Sequence, residues 1–136
     1  MANMKIDAVE GIGPAYAEKL QAAGIKDTDA YLEQACTPAG RKSLEEATGI
    51  SGKLILNWCN MVDLCRISGV GPEFAELLEA SGVDTVKELR NRNAANLAEK
   101  MAEVNAEKKL TRVVPSEKQV TDWVAQAKEL PPKVEY

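Results

Sequence analysis

A single pattern of twelve residues occurs twice in this chain, and it constrains the fold more than any other feature. Val9-Glu10-Gly11-Ile12-Gly13-Pro14-Ala15-Tyr16-Ala17-Glu18-Lys19-Leu20 returns as Ile67-Ser68-Gly69-Val70-Gly71-Pro72-Glu73-Phe74-Ala75-Glu76-Leu77-Leu78, at a constant shift of 58 positions. Gly24-Ile25 is answered by Gly82-Val83 in the same register. Self-similarity of this length, with Gly, Pro and Ala in fixed places, marks duplicated helical units. Units of roughly 60 to 70 residues lie near the lower limit for an independent core. The expected organisation is therefore two similar halves, 1–62 and 63–136.

The rest of the composition favours helices. Ala, Leu and Val supply most of the apolar share, and the aromatic residues are only two Trp, three Tyr and one Phe. That balance predicts an all-α fold class built of two tandem pseudo-repeats. Three cysteines without close pair spacing argue against a disulfide framework and fit a reducing compartment. The same spacing disfavours tetrahedral zinc, so neither a metal site nor a cofactor is expected. No stretch is apolar for the length of a membrane span, and Met1 to Val9 has no apolar signal core, which predicts a cytoplasmic protein without a membrane partner. The chain has no histidine. Its carboxylates, cysteines and lysines fall in no recognisable catalytic spacing, so no enzyme activity is expected.

Local signals place the helices. A short turn over Lys5 to Val9 leads into Gly11-Ile12-Gly13, then a helix from Pro14 to Ala23 that Gly24 closes in a left-handed cap. Thr28 or Asp27 caps a helix through Gln34, Thr37-Pro38 opens one that runs to Thr48 before Gly49, and Ser51 caps the next. Leu54, Ile55, Trp58, Cys59 and Val62 form its apolar stripe. In the second half Asp63 to Ile67 repeats the lead-in helix, Pro72 to Ala80 the hairpin helix, and Thr85 with Glu88 makes a capping box. Asn93 opens a longer helix through Leu97, Met101 and Val104. Ser116 caps the last one, with Val120, Trp123, Val124, Ala127 and Leu130 inward. Ser51 to Trp58 maps onto Ser116 to Trp123 at a shift of 65. The larger shift implies an insertion in the second half, around Asn105 to Arg112. Trp58 and Trp123 read as equivalent packing anchors. Tyr16 and Phe74 read as equivalent too, either packed on a facing helix or exposed to a partner.

The apolar-Gly-apolar-Gly-Pro-x-aromatic-Ala-x-x-Leu pattern resembles the helix-hairpin-helix motif in both copies. Over its whole length the chain is similar to an uncharacterised bacterial family of small tandem helix-hairpin-helix proteins. The resemblance implies that each half is a pair of such units, one clear and one worn. The first worn hairpin is the Thr48 to Ser51 turn, and its counterpart precedes Ser116. It also admits a monovalent cation on the carbonyls of the turn.

The chemistry expected of the hairpin belongs to the backbone. Glycines that take dihedrals closed to other residues let the amides around Gly13, and those of the turn after Pro14, converge on an anion. Contacts of that kind read phosphate and not base. The candidate nucleic-acid-binding residues are Gly11, Ile12, Gly13 and Lys19 in the first copy, and Gly69, Val70 and Gly71 in the second. Gly52 and Lys53 join them from the first worn hairpin, and Arg112 and Lys118 from the second. The plainer reading is that both turns are structural, with Ile12 and Val70 plugging the core. Charge favours that reading. The net charge is -4, and DNA-binding modules usually carry a positive excess. Ala15-Tyr16 and Glu73-Phe74 stand where DNA-contacting hairpins commonly set Lys or Arg, and Glu10, Glu73, Glu76 and Glu79 repel a duplex. Two functions follow from the sequence: a sequence-independent DNA-binding module, or an acidic protein-interaction scaffold.

Overall fold

The computed structural model describes residues 3–9 and 11–136. Glu10, which the repeat pairs with Ser68, lies outside the described residues. Within them the chain is all-α: a 3-10 turn at Ile6–Ala8 precedes α1 (Pro14–Ala22), α2 (Thr28–Ala35), α3 (Pro38–Thr48), α4 (Gly52–Leu64), α5 (Pro72–Ala80), α6 (Val86–Leu89), α7 (Ala94–Lys108) and α8 (Glu117–Glu129). The only extended pairing among the described residues is a single antiparallel bridge between Lys5 and Asp27.

Most helix starts follow from a side chain that accepts an amide of the first turn. Asp27 accepts from Ala30 at 2.8 Å, Thr37 from Gly40, Asn93 from Asn96 and Ser116 from Gln119. Each satisfies a donor that has no acceptor inside its helix. Ser116 and Gln119 complete a reciprocal capping box. The box expected at Thr85 is half-formed: Thr85 accepts the Glu88 amide, while the Glu88 carboxylate pairs with Arg92 at 3.2 Å.

Two compact units divide the chain, one running to Asp63 and including Lys133–Tyr136, the other Leu64–Pro132. The separate helix expected over Asp63 to Ile67 does not form. Asp63 and Leu64 are the last turn of α4, and only a tight turn closed by Ile67 N–H on the Leu64 carbonyl (3.1 Å) follows. That bond answers Val9 N–H on Ile6, so the lead-in turn persists inside the end of a longer helix.

In the first unit Ile6, Ile12, Leu20, Ile25, Tyr31, Leu44, Ile55 and Trp58 share one core. α2 packs on α3. In the second, α5 packs on α7, and α8 on both α6 and α7, with Val70, Leu78, Val83, Leu89, Met101 and Trp123 buried. The apolar positions of the repeat are buried in both copies, Ile12 with Val70, Ala17 with Ala75, Leu20 with Leu78 and Ile25 with Val83. The extra residues of the second half lengthen α7 and form the loop after it. There Lys109 takes a left-handed φ of 52°, and the buried Asn105 amide both donates to and accepts from the Thr111 backbone.

Residues 133–136 fall with the first unit, although the repeat alone assigns them to the second half. Val134 joins the first core. Glu135 N–H donates to the Cys36 carbonyl at 2.7 Å, and Tyr136 OH to Asn60 Oδ1. The Arg41 guanidinium ties the segment down, donating to Ala35 O at 2.9 Å and Glu135 O at 2.6 Å. Substituting Val134→Asp places a carboxylate in that core and should cost at least about 2 kcal/mol. Urea unfolding followed by circular dichroism checks this, and a wild-type midpoint would show that the segment contributes little.

Candidate functional site

The two glycines of each repeated turn do different work. Gly11 and Gly69 have φ of +91° and +96°, the left-handed region that L side chains rarely enter. Gly13 and Gly71, at φ -82° and -100° with ψ near 180°, are ordinary extended backbone. The freedom of dihedral that the sequence offers at both glycines is therefore used only by the first of each pair. A Cβ built on Gly13 or Gly71 meets no atom within 4 Å. Neither conformation nor packing demands glycine there.

Between the glycines the chain reverses so that Ile12 and Val70 point inward, 3 % and 5 % exposed. The side chains of these two candidate residues are therefore closed to any ligand. Gly11, Gly13 and Gly69 are exposed and Gly71 half-exposed. Beyond the second glycine, α1 and α5 begin with proline and have no side-chain cap. Their first intrahelical bonds are Ala17 N–H to Gly13 O and Ala75 N–H to Gly71 O, both 2.9 Å. The amides of Ala15 and Tyr16, and of Glu73 and Phe74, precede those bonds and find no acceptor in their own helix. The positive end of each helix dipole adds to them.

A tryptophan covers each turn. An added Cβ at Gly11 would stand 3.2 Å from Trp58 Nε1, and one at Gly69 3.1 Å from Trp123 Nε1, with Cδ1 next nearest in both. The nitrogen edge of each indole thus lies against the first glycine. Tyr16 packs on Trp58 edge to face at 5.1 Å between centroids, and Phe74 on Trp123 at 5.2 Å. The equivalence of the two tryptophans is legible in the sequence. Their contact with the glycine turns is not, since it depends on α4 and α8 returning to a turn far earlier in the chain.

The remaining candidates lie apart. A Cβ at Gly52 would collide with the Glu45 carboxylate, so an acid of the chain itself occupies the start of α4. Lys53 and Lys118 are exposed on the first turns of α4 and α8. Each stands five positions before its tryptophan, roughly 140° around the helix at 3.6 residues per turn, so neither shares the turn-facing side. Lys19 is exposed on α1, and Arg112 in the loop before α8. Other cations serve the fold: Arg41 as described, Arg66 on Pro131 O at 3.0 Å, and Arg92 on Gly82 O at 2.8 Å.

Carboxylates gather on the second unit. Burial raises the pKa of Glu79 above its ordinary value, and the nearby Asp84 and Glu76 charges add to the rise. The Tyr31 phenol is held protonated by burial, then by Cys59, and donates to Ile55 O at 2.6 Å. Cys59 is pushed up to about 12, first by burial and then by Asp63, which makes it an unreactive thiol. Cys65, placed near a hairpin by the sequence, is buried. Among the described residues no group of His, Cys, Asp or Glu could hold a metal ion, and no helix is long and apolar enough to cross a membrane.

Two stability predictions follow. Gly11→Ala or Gly69→Ala should cost about 1–2 kcal/mol, because each forces a left-handed alanine. Gly13→Ala or Gly71→Ala should change stability by less than about 1 kcal/mol in either direction, since the restriction of the unfolded chain is offset by alanine's poorer N-cap. Equal losses at all four sites in denaturant titrations would refute this division. Glu79, whose folded pKa is raised, binds its proton more tightly in the native state, so its contribution to stability falls as pH rises through the window between unfolded and folded values. Glu79→Gln should therefore raise the melting temperature at pH 7, with the gain fading at pH values below the ordinary carboxylate range. A pH-independent difference would mean another cause.

No curated protein and no solved structure matches this chain. A family model does, over residues 10–130, from the first glycine turn to the C-cap of α8. The chain belongs to that family, described as a domain of unknown function, DUF4332.

Proposed function

We propose that this is a non-enzymatic tandem helix-hairpin-helix protein that binds DNA through its phosphate backbone, without sequence preference, at the Gly11-Ile12-Gly13 and Gly69-Val70-Gly71 turns. The observation that carries this reading is the second glycine of each turn. Gly13 and Gly71 sit in extended backbone with open space where a side chain would be. Glycine is an acceptable N-cap, yet serine or asparagine would cap more strongly, and what glycine adds at such a position is the close approach of another molecule to the backbone. The amides that follow are donors without acceptors, suited to a phosphate oxygen.

Backbone donors need no neighbouring cation, which reconciles phosphate binding with a net charge of -4. Affinity should accordingly be modest. The clear hairpins are better placed than the first worn one, because Glu45 covers Gly52. The carboxylates of Glu76, Glu79 and Asp84 favour a second reading, in which the same turns are structural and the chain is an acidic protein-interaction scaffold.

Titration with unrelated short duplexes at low and moderate salt separates the two. Phosphate binding predicts similar affinities for every sequence and a log-log salt slope of roughly -2 to -4 for a few phosphate contacts. The double variant Gly13→Ala, Gly71→Ala should stay folded, with a melting temperature close to that of wild type, and bind more weakly, by roughly tenfold or more. Absence of binding at low ionic strength would favour the scaffold.

A further inference from the structure

We infer that Trp58 and Trp123 are ligand-binding residues, each giving its indole N–H to an oxygen of the phosphate seated on the adjacent glycine turn. The inference rests on the phosphate-binding reading above and adds to it a side-chain donor in each unit.

Both indoles are 98 % removed from solvent, and a tryptophan buried to that degree normally finds an acceptor for its N–H. Among the described residues neither Nε1–H has one. Neither nitrogen is sealed in the interior either, since no buried side-chain nitrogen lacks a partner. The ring is therefore packed while its single polar atom opens at the surface, beside Gly11 in one unit and Gly69 in the other. Packing alone does not account for this, because phenylalanine fills a core without a donor to satisfy.

The glycines explain how the N–H stays accessible. A side chain at residue 11 or 69 would rest its Cβ 3.2 or 3.1 Å from Nε1 and cover it. Gly11 and Gly69 thus both permit the left-handed turn and leave the indole edge open. The Tyr16 and Phe74 rings pack on the indoles, at 5.1 and 5.2 Å between centroids. The arrangement also recurs across a difference in chain length. The second tryptophan lies seven positions further from its turn than the first, the difference between shifts of 65 and 58, yet the same nitrogen meets the same glycine. Indole N–H, the amide of the second glycine and the two amides after the proline are all donors left over beside one short turn, and in this inference they serve together an oxyanion with several acceptor oxygens. A divalent or monovalent cation finds no acceptor in that group.

Two measurements test this. In wild-type protein the two indole Nε1–H resonances are followed by proton–nitrogen NMR during titration with a random-sequence DNA duplex, and separately with inorganic phosphate. Movement of both to lower field, in step with the Gly13 and Gly71 amides, is expected. Because these are the only two tryptophans, biosynthetic replacement by benzothienylalanine changes N–H to sulfur at these positions alone and keeps the ring shape. The replaced protein should melt as wild type does and bind duplex roughly tenfold more weakly. Glycine amides that respond while the indoles stay still, or a replaced protein that binds as wild type, overturns the inference and leaves backbone phosphate binding intact. If no indole or glycine resonance responds to duplex or phosphate, both readings fall.

Discussion

The contact of an indole with a glycine turn organises each unit. Gly11 and Gly69 turn the chain through a left-handed dihedral, which sends the next side chain inward as a plug and leaves the following glycine outside. The tryptophan from α4 or α8 then lies over the first glycine, and the aromatic residue of the hairpin helix packs on its ring. Plug, turn and ring bring two segments distant in sequence, residues 11–16 with Trp58 and residues 69–74 with Trp123, to one place. The hairpin helix consequently starts at a fixed point with its first amides outward. A larger residue at 11 or 69 disturbs dihedral and ring together, which is why this single contact carries so much of the architecture.

Helix capping shows where the fold leaves its donors unused. Asp27, Thr37, Thr85, Asn93 and Ser116 each satisfy an amide at the start of a helix. α1 and α5 begin instead with glycine and proline and no such acceptor. A serine at residue 13 or 71 would cap more strongly than glycine does. The weaker cap falls at the same place in both copies, where the residue is exposed in the first copy and half-exposed in the second.

The cationic residues divide in a way that bears on the acidic charge. Arg41, Arg66 and Arg92 give hydrogen bonds to backbone carbonyls of their own units. The guanidinium fork suits that task, since it can satisfy two acceptors at once, as Arg41 does between Ala35 and Glu135. What remains for an external anion is the lysines, all exposed, with Arg90 and Arg112 and the main chain. Phosphate recognition in a protein of this balance has to rest on dipoles and neutral donors more than on net charge.

Local signals determined much of this protein. The repeat, the helix starts at Pro14, Pro38 and Pro72, the caps at Thr37, Asn93 and Ser116, and the glycine stops at 24 and 49 all act over a single turn of chain, and near-neighbour chemistry suffices to read them. The all-α class followed from the same signals, and so did the pairing of Trp58 with Trp123 as equivalents. Tertiary structure alone decided which atom of each indole meets which glycine, that Glu45 closes over Gly52, that Arg41 is buried, and that residues 133–136 pack with the first unit. It also decided that Asp63 and Leu64 continue α4, since nothing in that stretch breaks a helix and packing sets where it stops. These outcomes turn on side chains that meet across a turn or between separate elements, where side-chain volume and the demand for hydrogen-bond partners act and sequence spacing carries no signal.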